Sequence, residues 1–134
     1  MKTRNYSVAV LVFSASLLFS FALVQTKPWV VPDKYNQMEN PVKADAESLK
    51  DGKVLWDKHC ASCHGKTGMG DGTKAAQLET EVSDLTTADA QKQSDGSLFY
   101  KIQEGRDDMP TFKKKITDEE DVWLMVNYIR SLKK

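Results

Sequence analysis

The sequence predicts an all-α fold, and three observations carry that reading. Apolar residues recur at helical spacing in three separate stretches, each bounded by capping or breaking residues. No stretch alternates apolar and polar residues as a half-buried strand does. Between the first and second stretches lies the pentapeptide CASCH, Cys60 to His64, which holds the only two cysteines of the chain. The spacing C-x-x-C-H is that of a c-type haem attachment. Thiols three residues apart can add across the two vinyl groups of one porphyrin, and the histidine that follows lies under the ring, where its imidazole can bind iron. The expected architecture is three main helices wrapped around one covalent haem, after an N-terminal signal or anchor segment.

Taken in order, the chain begins with Lys2 and Arg4 ahead of an apolar run from Val8 to Val24, broken only by Ser14, Ser16 and Ser20. Residues 1–24 read as an export signal or a membrane anchor. Ser20-Phe21-Ala22 offers a small-x-small cleavage site. Residues 25–48 read as a tether: Pro28, Pro32 and Pro41 punctuate a polar stretch without periodicity, and no regular structure is expected before Leu49. The sequence leaves two roles open for KPWVVP, a solvated linker or a wrap covering an apolar edge of the domain that follows.

Residues 49–134 form that domain. A first helix is expected from Ser48 to Cys60, with Leu49, Val54, Leu55 and Trp56 apolar. Residues 65–94 are less regular: GKTGMGDG is turn-forming, and Leu78, Val82 and Leu85 suggest a short helical stretch. A second helix runs from Asp95 to Glu104, with Gly105 placed to end it. The third is expected to be capped by Thr117 through a T-x-x-E box with Glu120, with acidic residues in its first turn and basic ones in its last. Val122, Val126, Ile129 and Leu132 give its apolar stripe. So short a chain buries a small core, and a covalent haem is the staple that makes it a domain.

Composition narrows function. Lysines plus arginines and aspartates plus glutamates both number 19, a formal charge of zero. Setting Lys2 and Arg4 aside leaves 17 basic against 19 acidic residues. No basic stripe suggests nucleic acid. With no third or fourth cysteine, a tetrahedral zinc site is disfavoured. A thioredoxin-like redox pair is disfavoured by the histidine directly after Cys63 and by the lack of a βαβ pattern.

Among the donors, His64 is fixed as the first axial ligand by the motif. His59, the one other histidine, precedes Cys60 and is expected to point away, in a surface or capping role. The sixth ligand is then sought among methionines. Met69 lies in a Gly-rich turn too close to His64 to reach the opposite face, Met125 suits a core position, and Met38 lies in the tether. Met109, in GRDDMPTF, follows His64 by 45 residues, enough for the chain to travel round the porphyrin edge. Pro110 biases it toward extended backbone and holds the loop open. His64 and Met109 together raise the reduction potential and leave iron no open position for a substrate. The acidic groups at 107–108 and 118–121 read as a solvated loop and a helix start, and Asp71 is weak as a metal ligand.

From Gly52 to Leu132 the chain resembles class I monohaem cytochromes c of bacteria. The matching pieces are GKVLWDKHCASCHGKTGMGDG, SDGSLFYKIQEGRDDMPTF and DVWLMVNYIRSL. The resemblance implies that the first and last helices cross in contact, with Gly52 and Trp56 meeting Tyr128. It implies covalent attachment through Cys60 and Cys63 and axial ligation by His64 and Met109. KPWVVP lies outside the family pattern, and the two aspartates before Met109 make that loop more acidic than a site near haem propionates favours.

The functional expectation is a one-electron carrier, not an enzyme. It is exported to the periplasmic side and associated with the membrane if residues 8–24 stay attached. Its donor is expected to be a quinol-oxidising complex and its acceptor a terminal oxidase or reductase. One alternative is a non-dissociating subunit of a respiratory membrane complex; another is a haem enzyme or gas sensor with a displaceable Met109. Lys113, Lys114 and Lys115 read either as a solvated run or as a patch that steers an acidic partner. On the steering reading, replacing all three by glutamate lowers the bimolecular electron-transfer rate about tenfold or more at low salt. Stopped-flow rates across a salt series check it, and an unchanged rate with an unchanged salt slope rejects steering.

Overall fold

In a computed structural model of the chain, residues 27–134 are described. The expected signal or anchor at 1–24 lies outside the described residues, as does the start of the expected tether. Six α-helices follow one another: α1 (Asp33–Asn36), α2 (Ala46–His59), α3 (Ala61–His64), α4 (Ala88–Gln91), α5 (Asp95–Glu104) and α6 (Glu119–Ser131). No strand is formed among the described residues; Arg106 and Met109 make an isolated bridge. The fold is all-α, as expected, with α2, α5 and α6 its three main helices.

Local chemistry sets the helix ends. Asp45, extended, accepts from the Ser48 amide at 3.0 Å, while Ser48 Oγ accepts from the Asp45 amide at 2.9 Å. This reciprocal box starts α2 at Ala46, two residues before the expected position. Helix α5 spans the expected residues, because Ser94 Oγ caps it from the Ser97 amide and Gly105 ends it at φ 66°. Helix α6 departs by one residue. Asp118, not Thr117, is its N-cap and accepts from the Glu120 amide at 2.9 Å. An ionised aspartate is the stronger cap, since its charge also favours the helix dipole. The helical stretch expected around Leu78, Val82 and Leu85 does not form. A short 3-10 turn (Ala75–Gln77) and α4 flank it instead. Leu85 is held by its amide donating to the Gly68 carbonyl at 2.7 Å, a contact to a distant turn rather than to a helix of its own.

The core sits between α2, α5 and α6. Trp56, Phe99, Met125, Val122 and Val126 are its deepest side chains. Helices α2 and α6 cross in contact at Gly52, where a Cβ would lie 2.3 Å from the Leu124 carbonyl oxygen and 3.1 Å from Tyr128 Cβ. Only a residue without a side chain permits that approach. Phe99 of α5 stacks on Trp123 of α6 with centroids 4.2 Å apart. Arg130 joins α6 to the start of α5, its Nε donating to Asp95 at 2.7 Å and its Nη1 to the Gln91 carbonyl at 2.8 Å.

Residues 27–45 are not the featureless stretch the prolines suggested. Helix α1 forms there, the Tyr35 ring lies 4.7 Å from Tyr100 of α5, and Met38 packs against the core. Asn40 Nδ2 donates to Asn127 Oδ1 at 2.9 Å and to the Trp123 carbonyl at 3.2 Å, while Asn127 Nδ2 donates to the Val42 carbonyl at 3.0 Å. Buried Asn127 is therefore satisfied by the N-terminal strap, whose folding back onto α6 is the condition for burying it. Among the described residues no helix is long and apolar enough to cross a membrane.

The helix crossing yields a measurable consequence. Gly52→Val should cost at least about 2 kcal/mol of unfolding free energy, because the new atoms meet a backbone carbonyl that cannot rotate away. Chemical denaturation followed by circular dichroism tests it, and a stability equal to wild type would mean that the crossing is not close.

Candidate haem-binding site

The attachment motif folds as one tight turn. After α2 the chain breaks at Cys60, then α3 carries Ala61 to His64, with the Cys63 and His64 amides both donating to the Cys60 carbonyl at 3.1 and 2.9 Å. This puts two thiols and an imidazole at positions i, i+3 and i+4 of one turn, on the same side of it. Gly65 ends it at φ 81°. The chain then reverses, and Gly72 packs so closely that a Cβ would lie 2.4 Å from the Ser62 carbonyl oxygen. Glycine is required at both places, for backbone sign at the first and for space at the second.

Burial sets the chemistry of the donors. Cys60 and Cys63 are both free thiols. Burial, with a smaller contribution from Cys63, pushes the Cys60 thiol up to about 12. Such a thiol stays protonated at neutral pH, the reverse of the activated thiolate a dithiol oxidoreductase needs. Burial also lowers the His64 pKa, the backbone at Ser83 acting weakly the other way, so its imidazole is neutral and available to a metal. Its Nδ1 is buried without a hydrogen-bond partner among the described residues. No group of three or more histidine, cysteine or acidic side chains is arranged to hold a metal ion among the described residues. An iron here must bring most of its own donors, as a haem does. Paired thiols, a neutral imidazole and a second soft donor on another segment fit that group.

The donors on the two sides come from different parts of the chain. Met109 sits on the loop after α5, half-buried and packed against the apolar cluster that contains Cys60. Its loop is narrow. The Arg106 amide donates to the Met109 carbonyl at 2.8 Å and the Met109 amide to the Arg106 carbonyl at 2.9 Å. Asp107, between them, takes φ 51°. Asp108 accepts from the Thr80 amide at 2.7 Å. These two aspartates, out of place beside a haem on sequence grounds, shape the loop. Downstream, buried Phe112 meets His59 edge-on at 5.9 Å, which brings the Met109 loop to the end of α2. His59 thus stays partly exposed, as a surface residue would, but one edge of its ring packs on Phe112.

The remaining methionines divide as expected. Met125 is fully buried core, with Sδ 3.9 Å from Cys60 Sγ, and Met69 is exposed beside Lys134. Lys113, Lys114 and Lys115 are exposed; Lys113 pairs with Glu104 and Lys115 lies over Phe112 at 5.6 Å. Two parts of the site were not visible in the sequence. Trp56, expected at the helix crossing, also donates from Nε1 to the Gly65 carbonyl at 3.0 Å and lies 5.7 Å from both the His64 and Tyr128 rings. Trp29 and Arg106 form a contact beside Met109, with the guanidinium 4.6 Å from the indole. The sole sequence signal for it was an aromatic among prolines.

Residues 47–129, more than half of the chain, match the family described as cytochrome c oxidase, cbb3-type, subunit III. Three solved structures are similar. A chain of the Kuenenia stuttgartiensis reducing HAO-like protein complex Kustc0457/Kustc0458 aligns with TM-score 0.63 and 25% identity, over 70% of this chain and 47% of that one. The present chain thus spans about half of that relative. The KustC0563 c-type cytochrome aligns with TM-score 0.55 and 34% identity, over 63% of this chain and 99% of that one. Cytochrome cL from the marine methylotroph Methylophaga aminisulfidivorans aligns with TM-score 0.56 and 24% identity, over 84% of this chain and 71% of that one, a likeness of fold alone. No curated protein matches the chain.

The Trp56 hydrogen bond is separable from the bulk of its ring. Trp56→Phe keeps an aromatic at the crossing but leaves the buried Gly65 carbonyl without its donor, which should cost about 1–3 kcal/mol. Denaturant unfolding measures it, and an unchanged midpoint would mean that another donor serves Gly65.

Proposed function

Because the chain belongs to the family described as cytochrome c oxidase, cbb3-type, subunit III, and carries a domain of haem-based electron transfer, we propose that it is a one-electron carrier whose single haem c is held by Cys60 and Cys63 and ligated by His64 and Met109. One observation carries the reading: free paired thiols and a half-buried imidazole held neutral by desolvation share one turn, while a methionine on a separate braced loop packs against the apolar cluster that contains Cys60. When bound, haem supplies an iron couple that changes by one electron. The chain's own residues hold it and keep water away. His64 is kept neutral by burial, Trp56 fixes the residue after it, and Phe112 and Ile102 close the apolar surround. Ligation by an imidazole and a thioether leaves no position for a substrate and raises the potential. Outer-sphere transfer follows, without acid–base or nucleophilic chemistry.

Residues 1–24 are read as delivering this domain to the periplasmic side, cleaved as a signal or kept as an anchor. A quinol-oxidising complex is the proposed donor and a terminal oxidase or reductase the acceptor. A second reading makes the chain a resident subunit of a larger redox assembly. The description of its family as an oxidase subunit favours that, and so does the complex to which one similar structure belongs. Size-exclusion of detergent extracts separates the two, since a subunit migrates with its complex and a carrier does not.

Ligation tests the chemistry directly. The ferric holoprotein should show the near-infrared band of methionine bound to iron, lost in Met109→Ala, and the reduced wild type should not bind carbon monoxide while the variant does. A wild type that binds carbon monoxide readily has an open sixth position, and a sensing or catalytic role would replace the carrier.

A further inference from the structure

We propose that the N-terminal strap is a positioning element for Met109, with Trp29 and the Lys27 carbonyl holding Arg106 and Arg106 holding Met109; the consequence for iron rests on the ligand reading above. The Arg106 guanidinium is fixed on three sides. Its Nη1 donates to the Lys27 carbonyl at 2.9 Å, its Nε faces Asp107 at 3.2 Å, and its plane lies over the Trp29 indole at 4.6 Å. Indole is the best aromatic partner for a cation, and the planar guanidinium stacks on it as an ammonium does not. Lys101 of α5 also lies over the same ring at 5.3 Å, so Trp29 contacts both the helix before the loop and the loop itself.

The backbone carries the constraint onward. Arg106 and Met109 exchange both amide hydrogen bonds across a two-residue turn, so fixing Arg106 fixes the Met109 backbone. Asp107 sits in the left-handed region, a conformation costly for a residue with a side chain. Such a turn persists only where its surroundings over-determine it. Gly105 on one side, where a Cβ would lie 2.4 Å from the Met109 oxygen, and the Asp108 bond to Thr80 on the other complete the frame. From outside residues 79–112 the loop is met by His59, which touches Phe112, and by the strap, which of the two is the one that contacts Arg106. The strap is also anchored a second time, beyond α1, where Asn40 Nδ2 donates to Asn127 Oδ1 of α6. The two anchorages can therefore be removed separately.

The test uses full-length holoprotein in three variants: Trp29→Ala, Trp29→Tyr and Asn40→Ala. The first readout is hydrogen exchange of the Met109 amide, which does not depend on what binds iron. Trp29→Ala should exchange about tenfold faster or more, the factor expected from losing a cation–π contact and loosening one hydrogen bond. The second readout is denaturant loss of the methionine band against global unfolding by circular dichroism. In Trp29→Ala the band should vanish at clearly lower denaturant than the fold, and at such denaturant the reduced variant should bind carbon monoxide while the reduced wild type does not. Trp29→Tyr should recover most of both effects. Asn40→Ala should shift band and fold together. Unchanged Met109 exchange in Trp29→Ala, or band and unfolding moving together in all three variants, overturns the brace. A wild type lacking the band would instead overturn Met109 as ligand, and the exchange measurement would still decide whether the strap holds the loop.

Discussion

The crossing of α2 over α6 is the contact on which the site depends. At Gly52 the backbones approach until no side chain fits between them, and that closeness brings Trp56, one helical turn further, against Tyr128. Trp56 reaches past its own helix to the Gly65 carbonyl, the first group after His64. Tyr128 Oη lies 3.4 Å from the next carbonyl, that of Lys66. The orientation of the imidazole is thus two contacts removed from a helix packing distance. A change in the crossing therefore reaches His64 through Trp56, whose ring lies 5.7 Å from the imidazole. Gly65, at φ 81°, lets the chain turn away immediately after His64 and so keeps its carbonyl facing Trp56.

The other half of the site is built differently. Met109 belongs to no helix, and a loop residue has no ladder of hydrogen bonds to hold it. Three neighbours supply what a helix would have: the paired amides of Arg106, the Asp108 bond to Thr80, and Phe112 packed beneath. The edge-on contact of Phe112 with His59 joins this loop to α2, so both halves refer to the same helix. A small domain gains from such economy, because each restraint that serves two segments lowers the number of residues that must be ordered.

The local features of this arrangement were legible in the sequence, and the long-range ones were not. Helix α5 could be read to the residue because Ser94 and Gly105 mark its ends by their own chemistry. The start of α6 was displaced by one, since Thr117 and Asp118 are both capping residues and only the backbone decides between them. The CxxCH turn was legible because its chemistry resides in residue type and spacing; Met109 was singled out by its separation from His64, and the structure places it against the same apolar cluster as Cys60. The strap could not. Arg106 meets Lys27 across 79 residues and Asn40 meets Asn127 across 87, and neither segment has a period that betrays a partner. Prolines at 28, 32 and 41 argued for open chain, yet between them Trp29, Tyr35 and Met38 each find an apolar or cationic neighbour. The aspartates before Met109 were misjudged for a related reason: their value lies in the turn geometry of the loop, which charge alone does not reveal.

Burial, rather than motif alone, separates this site from the redox chemistry that two cysteines at this spacing elsewhere perform. A dithiol that exchanges electrons directly needs one thiol poised as thiolate and open to solvent. Here desolvation disfavours charge on both kinds of donor at once, holding Cys60 protonated and His64 unprotonated. The two shifts run in opposite directions on the pH scale but have the same cause, and each favours the neutral form of its group. An apolar cluster in which Trp56, Ile102, Phe112 and Met125 pack with Cys60 suits a large apolar group whose charge change is confined to one central atom. It suits poorly a reaction that moves protons through the thiols. The environment of Cys60 is thus in keeping with the family match to a cytochrome c domain rather than with thiolate chemistry at that residue.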